Sequence, residues 1–127
     1  MKKLILFVGL LCFGTLASHL RAQSINNRNW KAFFADPFND TLTFHIRSDT
    51  SFVSNSKGEV LLHTNCKINA DTLTLLDYGT GEYTCPDMTG QYKINLANNT
   101  FILTLIDDPC DGRARALDGV KWTEASK

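Results

Sequence analysis

The sequence predicts an all-β fold: a small antiparallel up-and-down β-barrel of roughly eight strands, with a short helix before the last strand. Three observations lead there. Apolar and polar residues alternate with period two in most of the apolar segments, the pattern of a strand with one buried face. Short clusters of Gly, Asn, Asp and Ser separate those segments and supply the chemistry of tight connections. A meander of about eight strands exposes two edges, and closing it into a barrel removes them.

Taken in order, "INNRNWKAFFADPF" groups Trp30, Phe33, Phe34 and Phe38 and fits either a short helix or an irregular first strand, ended by Pro37. "TLTFHI" alternates Leu42, Phe44 and Ile46 with Thr41, Thr43 and His45. The same grammar recurs in "DTLTLLD" (Leu73, Leu75), "GQYKINL" (Tyr92, Ile94, Leu96) and "TFILTLI" (Phe101, Leu103, Leu105). Weaker strands fit "TSFV", "EVLLHT", "EYTC" and "VKWT". The echo among "NDTLTF", "ADTLTL" and "NNTFILTL" is a turn followed by a Thr/Leu strand, which is shared hairpin grammar and not domain duplication. "CDGRARAL" is spaced for one or two helical turns, with Asp111 or Asp108 as a cap.

The N-terminus has the form of a secretory signal peptide. Met1-Lys2-Lys3 precedes the apolar run "LILFVGLLCFGTLA", which is short for a membrane helix, and cleavage is expected after Ala22. Cys12 lacks the small preceding residue that a lipid anchor requires, so residues 23–127 are read as one exported domain, periplasmic, in the cell envelope or extracellular. Losing Lys2, Lys3 and Arg21 leaves 10 basic residues against 13 acidic ones, a net charge of −3. With no Lys/Arg cluster, that surface argues against nucleic acid as a partner.

Cys66, Cys85 and Cys110 enter an oxidising compartment and permit three different single bridges. Cys85 and Cys110 both fall in loops beside strand ends, which favours them as the pair. Cys66, inside "VLLHTNC", is expected to remain a small buried hydrophobe.

Catalytic and metal chemistry find little footing. His63 and Cys66 are three apart in a strand and face opposite ways, His45 reads as a surface histidine, and no ligand pair has zinc-like spacing. Asp107, Asp108 and Asp111 lack the spacing of a calcium loop. "GTGEYT" offers Gly79 and Gly81 but neither a third glycine nor a following helix, and reads as a turn. There is no G-x-S-x-G elbow and no H-E-x-x-H helix. No enzyme activity, metal or cofactor is expected. Arg113 and Arg115 stand out among the charges: one could hold an acidic ligand group at the barrel mouth, or lie over Trp30 or Trp122 while its donors close the barrel end. The second role is the expected one.

The stretch "TGQYKINLANNTFILTLIDDPCDGRARALDGVKWT", preceded by "CPDMT", resembles the lipocalin-like domain family of small secreted bacterial proteins, within the wider calycin group of barrels. The resemblance rests on Gly90, Tyr92, Leu103, Leu105, Asp108, Cys110, Arg113, Leu117, Trp122 and Thr123, and covers about a third of the chain. It implies a barrel whose late arginine, Arg113, packs on an early tryptophan, Trp30, with Trp122 completing the latch. Arg28 stands where the family's G-x-W start has glycine. The resemblance also implies a small hydrophobic ligand, for which the inward residues Leu42, Phe44, Leu73, Leu75, Tyr92, Ile94, Phe101 and Leu103 are the candidate contacts. The alternative is a non-catalytic structural or protein-interaction domain with a filled barrel.

Overall fold

The structure, a computed structural model, describes residues 24–126. The expected signal peptide, its cleavage site and Cys12 lie outside the described residues. Eight antiparallel strands follow one another around a closed barrel: β1 (Arg28–Phe34), β2 (Asp40–Ile46), β3 (Thr50–Ser54), β4 (Val60–Asn69), β5 (Thr72–Tyr78), β6 (Thr89–Ala97), β7 (Thr100–Asp107) and β8 (Lys121–Glu124). A single helix, α1 (Asp111–Leu117), lies between β7 and β8. Each strand pairs with its sequence neighbour, and β1 pairs with β8 to close the barrel through Trp30↔Glu124 and Lys31↔Thr123.

The expected fold is thus the observed one, with three differences in its parts. "RNWKAFF" is a regular strand, not a helix, because Trp30 and Ala32 alternate inward and pair with Phe44 and Leu42 of β2. "EYTC" is not a strand. Its residues lie in the connection from Gly79 to Met88, where Asp77 pairs with Pro86 in an isolated parallel bridge and the chain bends toward α1. Leu105 does not continue the buried row of Phe101 and Leu103. It keeps their register, opposite Tyr92, but is 37% exposed near the strand end, and the β6–β7 register shifts only beyond it, where Ile106 is the extra residue of a bulge.

The tight hairpins carry the conformations their turn residues permit. Ala70–Asp71 joins β4 to β5 and Asn98–Asn99 joins β6 to β7, with Ala70 at φ 54° and Asn98 at φ 55°. Two-residue hairpin loops need such left-handed positions to match strand twist.

Antiparallel order puts alternate connections at the same end of the barrel. The end carrying the 47–49, 70–71 and 98–99 connections is closed by the incoming chain: Ile25 is buried, and its carbonyl accepts the indole N–H of Trp30 at 3.0 Å. Trp30, Tyr92, Phe101, Leu73, Leu103 and Ile46 fill the interior, with Trp30 and Phe101 edge to face at a centroid distance of 4.7 Å. Arg28 crosses the barrel seam, its guanidinium 4.4 Å from the Trp30 ring centroid and its Nε donating to Glu124 Oε1 at 3.0 Å. The other end carries the 35–39 and 79–88 connections and α1.

Candidate functional site

α1 forms where "CDGRARAL" predicts it, but its start is built differently. Cys110 is the N-cap residue and makes no side-chain cap bond. Asp108 instead accepts the Cys110 N–H at 2.9 Å and reaches forward to Arg113, so neither expected aspartate caps the helix in the usual manner. Cys110 is bonded to Cys85, the pairing expected from the loops, and Cys66 is a buried free thiol. The disulfide ties the 79–88 connection to the start of α1.

Helical spacing then turns Arg113 inward, and its guanidinium is taken up entirely within the protein. Nε and Nη2 donate to the two carboxylate oxygens of Asp108 at 2.7 and 2.9 Å, Nη1 donates to Asp77 Oδ1 at 2.7 Å, and Nη2 also donates to the Met88 carbonyl at 2.6 Å. Both carboxylates are fully buried. Asp77 additionally accepts the Cys85 N–H, and Asp108 accepts the Tyr92 hydroxyl. Burial alone would raise the Asp108 carboxyl, but the bonds from Arg113, Tyr92 and the Cys110 amide outweigh it and hold the group below its ordinary value. Burial and the bond to Asp108 push the Tyr92 hydroxyl up, which keeps it a donor.

Arg113 therefore does close the barrel end, but not on Trp30 or Trp122. The cation on Trp30 is Arg28, two residues earlier in β1, whose guanidinium lies over the ring. Gly90 explains the rest of the pattern. A Cβ there would sit 2.7 Å from Asp108 Cγ and closer still to Oδ2, so only glycine lets the Asp108–Arg113 pair lie against β6. Gly90, Tyr92, Asp108, Cys110 and Arg113, scattered over 24 positions, thus form one cluster. Asp77 was missing from the expected set. Period two predicts it, since the inner face of β5 runs Leu73, Leu75, Asp77.

Beneath this cluster and α1, the barrel holds a cavity of about 660 Å³ that opens at the loop end. Its walls are predominantly apolar: Phe34, Leu42, Phe44, Val53, Leu61, Leu62, Leu75, Leu117 and Trp122. Phe38 and Tyr83, with ring centroids 5.1 Å apart, bring the 35–39 and 79–88 connections together beside it, and the Cys85–Cys110 bridge is part of the wall. Asp36, Glu82 and Arg115 carry the charges at this end. Of the eight expected ligand contacts, Leu42, Phe44 and Leu75 line the cavity. Leu73, Tyr92, Ile94, Phe101 and Leu103 pack on one another in the filled part of the interior.

Elsewhere, His45 is not a free surface histidine. It bridges Asn29 and Ser54 and stacks on Phe52 at 4.1 Å, and burial with the nearby Arg47 charge lowers its pKa. His63 faces outward and Cys66 inward, as their spacing predicts. No cluster of three or more His, Cys, Asp or Glu positioned for a metal ion occurs among the described residues, and no described helix is long and apolar enough to cross a membrane. No protein family, curated protein or solved structure matches this chain.

Proposed function

We propose that this protein is an exported, non-catalytic binding module that takes a small hydrophobic molecule into the open end of its barrel. The observation that carries the reading is the 660 Å³ cavity, within the range of small-molecule pockets and walled by Phe34, Phe44, Leu75 and Trp122. A barrel whose only role was structural would gain by filling that space, because unfilled apolar volume forfeits packing energy. One end of the barrel is filled and the other is open, and the open end adjoins the 35–39 and 79–88 connections. The resemblance to lipocalin-like domains points the same way, and the disulfide is consistent with an oxidising compartment outside the cytoplasm.

The test is thermal unfolding with a panel of fatty acids, retinoids and aromatic hydrocarbons. A ligand present at about 100 times its Kd stabilises the fold by about 2.7 kcal/mol, a shift of several degrees for a domain of this size. An unmoved transition across the whole panel would favour the alternative of a non-catalytic structural or interaction domain.

A further inference from the structure

Three aromatic rings gather at the mouth of the cavity. Phe34 at the end of β1, Phe38 in the 35–39 connection and Tyr83 in the 79–88 connection all line it, with ring centroids 6.2 Å apart for Phe34 and Phe38 and 5.1 Å apart for Phe38 and Tyr83. Tyr83 remains 40% exposed although it packs on Phe38. The chain itself threads two carboxylates among these rings, since Asp36 lies two residues from both Phe34 and Phe38 and Glu82 immediately precedes Tyr83. Both acids line the same cavity, both are exposed, and neither has a hydrogen-bond or ion-pair partner among the described residues.

No cation of the protein fills this place. Among the described residues Arg28 over Trp30 is the one cation on a ring, and it stands at the opposite end of β1 from Phe34. Arg113 is committed to Asp77, Asp108 and the Met88 carbonyl. Arg115 lines the cavity from α1, but Asp111 four residues before it and Asp118 three after it flank it along its own helix. The four connections at this end, 35–39, 55–59, 79–88 and 108–120, together hold seven carboxylates against Lys57, Arg113 and Arg115, whereas the 47–49, 70–71 and 98–99 connections at the plugged end hold two against Arg47. A carboxylate at the mouth would be repelled, and a cation drawn in. Ring faces attract a cation further through the quadrupole of their π-systems.

Resting on the binding reading above, we propose that the molecule taken up is a cationic amphiphile, whose apolar body fills the cavity and whose alkylammonium group sits at the mouth among Phe34, Phe38 and Tyr83, neutralised by Asp36 and Glu82. The apolar wall supplies affinity, and the rings with their carboxylates select the head.

Decyltrimethylammonium, decanol and decanoate share a chain and differ in the charge of the head, so calorimetric titration below their aggregation concentrations isolates the proposed selection. Decyltrimethylammonium should bind about tenfold more tightly than decanol, and decanoate more weakly than either. The paired substitution Asp36→Asn with Glu82→Gln breaks no bond within the described residues and should remove that advantage. Tyr83→Leu keeps the wall apolar and should reduce the advantage about threefold. Decanol or decanoate binding as tightly as decyltrimethylammonium would overturn the cationic head while leaving the hydrophobic pocket standing. An advantage that survives the paired substitution would overturn its assignment to these carboxylates, and binding of none of the three would overturn both readings.

Discussion

Replacing Arg113 by Ala leaves Asp77 and Asp108 buried without a cation, which costs far more than the loss of the ion pairs in water would suggest. The expected destabilisation is about 3–5 kcal/mol, read as a lowered urea midpoint. An unchanged midpoint would show that the cluster does not close the barrel. The same group sets a pH dependence. Asp108 is held below its ordinary value in the fold, so its contribution is fully present above the unfolded carboxyl pKa of about 3.9 and is lost as pH falls through the lower folded value. Asp108→Asn should therefore lower stability at neutral pH and flatten the acid limb of the stability curve, measured by urea unfolding between pH 7 and pH 2. Residue by residue, the signals that point inward were legible: Leu42, Phe44, Leu73 and Leu75 are buried as period two requires. The partner of Arg113 was not, because a guanidinium finds carboxylates through space and Asp77 lies 36 positions away.

Among the elements, α1 and the 79–88 connection behave as one unit because Cys85 and Cys110 are joined across 25 positions. In the loop-entropy account, that cross-link stabilises the fold by about 3–4 kcal/mol through the unfolded chain. The paired substitution Cys85→Ser with Cys110→Ser should lose stability of that order in chemical unfolding and raise hydrogen exchange in α1 first, since the bridge is the covalent tie of the helix to the loop beside the Arg113 bond to the Met88 carbonyl. Uniform exchange across the barrel would argue against a local staple. The strand count was legible, yet its membership was not. "EYTC" has strand composition but is bent by the bridge at Asp77 and Pro86, whereas "RNWKAFF" is a strand because β2 and β8 flank it. Local propensity yields to pairing when a neighbour supplies or withholds the ladder. The bulge at Ile106 has the same origin: it is a relation between two strands, and neither sequence alone shows it.

For the whole molecule, the contrast between a plugged end and an open end governs what the barrel can do. Ala116, on the face of α1 that lines the cavity, is the position from which that contrast can be tested. Ala116→Trp should fill the mouth, leave the unfolding midpoint of the ligand-free protein within about 1 kcal/mol of its original stability, and abolish the thermal shift caused by any ligand that binds the parent protein. A retained shift would place the ligand elsewhere. The sequence by itself determined that the chain forms a closed meander with a short helix before its last strand, and favoured one of three possible cysteine pairings, because alternation, turn residues and loop placement are local properties of the chain. Only the tertiary structure decided that Arg113 meets two aspartates instead of a tryptophan, that Arg28 covers Trp30, and that one end of the interior stays open. Those outcomes depend on how side-chain volumes and charges from distant strands share one enclosed space, and no local pattern encodes that sum.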